Sequence, residues 1–270
     1  MSARPVRIGV QIAPQHSPYS VIRDTLRELE DLGVDVAFNW DHFYPLSGDP
    51  DGTHFEGWSM LAAWAEQTSR IEFGPLVTCN SYRNPDLLAD MARTVDHISA
   101  KDGTGRLIFG IGSGWFERDY QEYGYEFGTA GQRLDALSRD LPRIEARLAA
   151  VNPAPTRHIP VLIGGGGEKK TLKIVAQYAD IWHTFSDAVT LEHKLRVLNE
   201  WCEKVGRDPA AIEVSTGVNV AGATITPEEG GELDASRALG ASLFTLGITG
   251  PDIDLAPVRA LLAWRDKQGS

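Results

Sequence analysis

Residues 159–184 read IPVLIGGGGEKKTLKIVAQYADIWHT. A short apolar run, Ile159–Ile163, stops at four consecutive glycines. A helical pattern starts near Glu168, and a second short run, Asp180–Thr184, follows. Two strands bridged by a helix lie parallel, because a crossover of that length returns the chain to the same end of the sheet. The same unit recurs outward in both directions. Upstream stand Arg7–Ile12, Val34–Trp40, Ile71–Cys79 and Arg106–Ile111, and downstream stand Ile212–Val218 and Ser242–Leu246. Between them come helical patterns. One opens at Ser17-Pro18, with Ser expected as N-cap and Pro at the first helical position, and carries Ile22, Leu26 and Leu29 on one face. Others cover Trp58–Thr68, Leu134–Ala150 and Leu191–Val205. Another follows the Asn84-Pro85 cap, with Leu88, Met91, Val95 and Ile98 as its stripe. Thr226-Pro227-Glu228-Glu229 reads as a capping box that starts a helix there, and Asp254 caps the last one.

Eight β/α units in 270 residues fit a closed (β/α)8 TIM barrel, typically about 250 residues. No linker-like stretch interrupts them, so residues 1–270 are expected to form a single domain. An open doubly wound sheet is the alternative. In a barrel, chemistry sits at the C-terminal strand ends. Those ends carry Gln11, Asn39 to His42, Thr78 to Asn80, Gly112 to Trp115, Gly164 to Gly167, Trp182 to Thr184, and Asn219.

Composition excludes several classes. Charged residues make up 23% and hydrophobic ones 42%, a globular balance. A net charge of −11 argues against nucleic acid and anionic membranes as partners. Two cysteines make no disulfide framework and point to a reducing, cytoplasmic setting. No signal peptide and no membrane span are read. The chain lacks HExxH, CxxC and a Walker lysine, so no metal site is expected. His42, His54 and Glu56 could cluster, but scattered loop histidines are usually solvated. Gly-Ile-Gly-Ser-Gly is not a nucleophile elbow, and neither glycine run has the Rossmann spacing.

Three strand-end stretches carry chemistry. Gly164, Gly165, Gly166 and Gly167 lie between a strand and a helix start, where close backbone approach and free N–H groups favour an anion such as phosphate. Lys169 and Lys170 add positive charge. Gly110-Ile-Gly112-Ser113-Gly114-Trp115 could hold another side of the same ligand, or be ordinary barrel packing. Trp40-Asp41-His42 places a carboxylate beside an imidazole, suited to orienting a cofactor and moving a proton. Alternatively Asp41 caps a turn and His42 faces solvent.

With these stretches quoted, the chain resembles the luciferase-like monooxygenase superfamily, in particular its F420-dependent oxidoreductase branch of actinobacterial type. The resemblance also rests on Ile71-Glu72-Phe73-Gly74 into Tyr82-Arg83-Asn84-Pro85, on Glu117 with Tyr123-Gly124, on Ala179-Asp180, and on Gly206-Arg207-Asp208-Pro209. It implies a barrel that binds a flavin or deazaflavin at its mouth. It implies a non-prolyl cis peptide at Leu76–Val77 behind the ring, with Thr78 next to it. It assigns Asp41 to cofactor binding, His42 to proton handling, and the two glycine runs, with Ser113 and Trp115, to the cofactor. Trp40 and Trp115 are expected close to the ring.

The implied function is hydride transfer between coenzyme F420 and a small organic substrate. The alternatives are an FMN-dependent monooxygenase fed by a separate reductase, and a non-catalytic cofactor binder. A homodimer is also implied. Two departures stand out. Sugar-phosphate dehydrogenases of this family carry a catalytic Glu where this chain has Trp115. The stretch Val151–His158 replaces a longer insertion.

Overall fold

The computed structural model describes residues 4–220, 223–224 and 226–268. β1 (Arg7–Ile12), α1 (Tyr19–Leu32), β2 (Val36–Asn39), α2 (Gly57–Gln67), β3 (Glu72–Pro75), β4 (Thr78–Cys79), α3 (Pro85–Ser99) and β5 (Phe109–Gly112) form the first half. α4 (Glu117–Tyr123), α5 (Ala130–Ala150), β6 (Val161–Gly164), α6 (Thr171–Tyr178), β7 (Ile181–Thr184), α7 (Ala188–Val205) and β8 (Glu213–Gly217) follow. A hairpin of β9 (Asn219–Val220) and β10 (Ala223–Thr224), then α8 (Glu232–Ala238), β11 (Ala241–Ile248) and α9 (Ala256–Gln268), end the chain.

The main sheet runs β3-β2-β1-β11-β8-β7-β6-β5-β4, and every pair in it is parallel. β3 and β4 are the lower and upper halves of one barrel position. β3 pairs with β2 and β4 with β5, and a bridge from Phe73 to Leu107 closes the ring. The fold is therefore a (β/α)8 TIM barrel, and the open sheet is excluded.

Period-two alternation sorts the strand side chains. On β1, Ile8, Val10 and Ile12 join the apolar layer under the helices, while Gly9 and Gln11 face the lumen. The lumen core is Val36, Phe38, Leu76, Ile108, Leu162, Ile181 and Leu243. Below it Arg7 bridges Glu72 and Glu213 at 2.5 and 2.7 Å. Above it glycines stand at inward positions near strand ends on two pairs of adjacent strands, Gly112 and Gly164 on β5 and β6, Gly217 and Gly247 on β8 and β11. The interior thus passes from ion cluster to apolar plug to a mouth where Val77 and Phe185 stand over glycine strand ends.

Several local expectations need correction. α1 begins at Tyr19 with Pro18 as N-cap, because the Ser17 hydroxyl donates to the Gly250 carbonyl instead of capping. The third strand breaks at Leu76–Val77. The fourth begins at Phe109, not Arg106. The helix placed near Glu168 starts at Thr171. Thr226 opens no helix: its hydroxyl bonds Glu228 at 3.3 Å, and α8 starts at Glu232. The short α4 was not read at all. Asn84 caps α3 through Asp86 N, and Asp254 accepts from Ala256 N at the start of α9, as expected.

Candidate active site

The Leu76–Val77 peptide is cis. Its neighbourhood explains the glycines opposite. A Cβ on Gly112 would meet a Val77 methyl at 2.8 Å, and one on Gly164 would meet the other at 3.2 Å. Val77 therefore stands as a crest over a floor of bare backbone from β5 and β6. The Leu76 carbonyl accepts from Gln11 Nε2 at 2.7 Å. The bare strand ends thus make room for Val77 itself, which bulkier residues there would displace.

His42 is the focus beside this seat. It is 7% exposed. Its Nδ1 lies 2.7 Å from Asp119 Oδ2, and Asp119 is fully buried on α4. Asp119 also accepts from Tyr82 OH at 2.9 Å and from Phe43 N at 3.1 Å. Burial, then the neighbouring Cys79 and Asp119, push the Tyr82 phenol far above its ordinary value, so it remains a donor. A carboxylate so placed keeps the Nδ1–H tautomer and leaves Nε2 for the mouth. The imidazole meets the rings of Trp115 and Phe116 edge-on at 5.7 and 5.5 Å. Trp115 is 62% exposed and lies three residues past Gly112, so His42 and the glycine floor share one rim. Asp119 escaped sequence reading because a buried acid on a short polar helix carries no periodic signal.

Asp41 is held by protein groups. Both of its oxygens are occupied, by Arg83 at 2.6 and 3.0 Å and by Cys79 N and the Thr78 hydroxyl. Arg83 reaches on to Glu56, the N-cap of α2. Thr78 also accepts from Trp58 Nε1. Asp41 and Thr78 therefore brace the strand end that carries His42, and of the two Asp41 oxygens Oδ1 has Arg83 as its one partner among the described residues. His54 is bonded, not solvated: it accepts from Trp40 Nε1 at 3.0 Å. Burial, with His42 nearby, lowers its pKa to about 4 and keeps it neutral.

The glycine loops divide. Gly165 takes φ +120° and donates to the His183 carbonyl. Among the described residues no protein acceptor meets the N–H groups of Gly166 and Gly167. Lys170 turns away to Asp135. The cation near the loop is Lys194 of α7, whose stem lies 3.8 Å from a Cβ built on Gly166, with Thr184 Oγ1 at 3.5 Å. The Lys194 ammonium is paired with Glu168 at 2.5 Å, so the corner offers an anion two free N–H groups and the Thr184 hydroxyl, with that ion pair beside them. Gly114, in contrast, has a structural reason: φ is +81°, and a Cβ there would strike the Tyr120 hydroxyl. Ser113 engages only through its carbonyl, which accepts from Tyr120 OH at 3.4 Å. No cluster of metal-ligating side chains occurs among the described residues.

An uncharacterized protein of Mycobacterium tuberculosis is 28% identical over 188 residues, covering 61% of this chain and 64% of its own. The 5,10-methylenetetrahydromethanopterin reductase of Methanopyrus kandleri is 29% identical over 109 residues, 40% of this chain and 27% of that protein. The chain thus spans under two thirds of these curated relatives. Among solved structures, an F420-dependent secondary alcohol dehydrogenase bound to an F420-acetone adduct superimposes with TM-score 0.80 at 15% identity, covering 97% of this chain and 99% of that one. The oxygenating constituent of 3,6-diketocamphane monooxygenase of Pseudomonas putida, in complex with FMN, gives 0.63 at 17% identity, covering 78% and 67%. The sequence profile of the luciferase-like monooxygenase family matches residues 3–227, and the chain belongs to that family.

Proposed function

We propose that the protein is an oxidoreductase that uses coenzyme F420 to exchange a hydride with a small organic substrate. The observation that carries this reading is His42, buried, aligned by Asp119 and set on the rim of the Val77–glycine seat. A bound deazaflavin supplies the two-electron carrier. The chain supplies everything else. Val77 and the backbone of Gly112 and Gly164 support the ring. Gly166, Gly167 and Thr184 hold its phosphate, beside the Lys194–Glu168 pair. His42 Nε2 accepts or returns the substrate proton, Asp119 steadies the resulting positive charge, and Trp115 shields that exchange from water.

Correspondence with the F420-dependent neighbour over nearly both whole chains supports F420 over FMN. Reconstitution with each cofactor tests the choice, by absorbance at about 420 nm for F420 or about 450 nm for FMN. Retention of FMN alone would move the reading to a monooxygenase, and retention of neither would reject it. We further infer a cytoplasmic homodimer. Both cysteines are free and buried, and among the described residues no helix is long and apolar enough to cross a membrane. Leu87 and Ile98 expose an apolar strip along α3 that supports pairing.

A further inference from the structure

The helical layer opens on the outer wall of the barrel between α7 and α8. α8 has 7 residues against the 18 of α7. Beside it a groove of about 700 Å³ reaches down to Val214 of β8 and to Ile212 just before it. That volume falls in the range of about 300–1,000 Å³ usual for small-molecule sites. Leu195 of α7 and Leu239 at the end of α8 continue the apolar wall. Two guanidinium groups line the same groove, those of Arg4 and Arg237. The chain carries a net charge of −11, yet no Asp or Glu lines this groove among the described residues.

Backbone carbonyls hold both arginines. Arg4 Nη2 donates to those of Ala210 and Ala211 at 2.9 and 3.1 Å. Arg237 Nη2 donates to that of Arg4 at 2.7 Å, and its Nη1 to that of Ala241 at 3.4 Å. Arg143 and Arg147, by contrast, close two-pronged bonds on the carboxylates of Asp86 and Asp90. Among the described residues neither Arg4 nor Arg237 has such a partner, and both keep an unbonded Nε–H. A guanidinium fixed in place, with donors to spare and no counter-ion, is a receptor for a carboxylate. The groove also lies at the N-terminal end of the barrel, since Arg4 precedes β1, Ile212 precedes β8 and Gly240 precedes β11. His42 and the glycine loops lie at the opposite end, so a ligand here is bound and not converted.

We propose that the groove between α7 and α8 binds a small amphipathic carboxylate, with its head on Arg4 and Arg237 and its apolar chain on Leu195, Ile212, Val214 and Leu239. The two unpaired cations select the anionic head. The outward core side chains of β8, 9% exposed or less, select the apolar chain, because covering them extends the core.

Saturation-transfer NMR on the full chain tests this with octanoate, 1-octanol and octylammonium as probes. Octanoate is expected to bind about tenfold or more tightly than octanol, and octylammonium more weakly than either. Arg4→Ala and Arg237→Ala should each weaken octanoate by about fivefold or more and leave octanol unchanged, a split that loss of folding would not give. Asn199→Glu sets a like charge on the exposed α7 side of the groove. It should remove the octanoate signal while the melting temperature holds. Equal binding of octanol would overturn the proposal. So would octanoate affinity that survives both arginine variants and Asn199→Glu. Octanoate affinity that falls instead in Trp115→Ala would place the probe in the mouth and overturn it as well.

Discussion

Replacing Asp119 by Asn tests the proton machinery at its base. The side chain keeps its shape but loses its charge and one acceptor. Asp119 serves three donors, His42 Nδ1, Tyr82 OH and Phe43 N. An amide has one oxygen. If that oxygen stays with Phe43, its NH2 faces His42 Nδ1 and forces the tautomer with hydrogen on Nε2, the wrong form for a base. A hydrogen bond to a charged group contributes about 1.5–3 kcal/mol, so turnover should fall by roughly 10- to 150-fold at neutral pH. F420 affinity should hold, since Asp119 lies beneath the rim. The assay follows F420 absorbance against a panel of alcohols, over a pH series. The imidazole ¹⁵N shifts of His42 report the tautomer without substrate. Tyr82→Phe should cost less, because His42 keeps its carboxylate. An Asp119→Asn enzyme with native turnover, native pH profile and unchanged His42 shifts would refute the reasoning.

Gly166→Val should weaken F420 binding about tenfold or more with little change in melting temperature, because its Cβ meets only ordinary contacts; unchanged affinity by fluorescence titration would remove the anion corner. Burial lowers the His183 pKa from 6.5 to about 3. Between those values the unfolded chain binds a proton that the folded chain refuses, so His183 costs stability as pH falls through that window. Thermal melts should therefore show any stability lead of wild type over His183→Gln shrinking on acidification. Burial raises the Cys79 thiol to about 11 and raises Cys202 as well, so native protein should resist iodoacetamide at about pH 8 and take two labels per chain after unfolding. Sedimentation at micromolar concentration should give a dimer, and a monomer alone would reject pairing through α3.

The barrel was legible because each unit repeats the same signal, an apolar run of period two and then a stripe of period 3.6. Boundaries were less legible. Ser17 and Thr226 both look like caps, yet a long-range carbonyl claims the first hydroxyl and a nearby Glu side chain the second. The positions of His42 and the glycines could be found because they sit at strand ends, and that of Val77 only through the family resemblance. Their roles could not, because roles depend on partners far along the chain. Arg83, 42 residues away, takes the carboxylate of Asp41, and Asp119, 77 residues from His42, orients the imidazole. The loop lysines follow the same pattern: Lys170 turns outward to Asp135, and α7 brings Lys194 beside the loop, where it pairs with Glu168.

The divided third position makes the barrel resemble a hoop with a clasp. Its lower half hangs from β2 and its upper half from β5, and Phe73 holds the overlap through bonds to Arg106 and Ile108. The clasp lies under Val77, so whatever rests on the glycine floor also spans the joint. Ligand binding and ring closure are then thermodynamically linked. The amide protons of Phe73 and Ile108 should be the first of the barrel to exchange in the empty protein, and the ones a seated cofactor slows most.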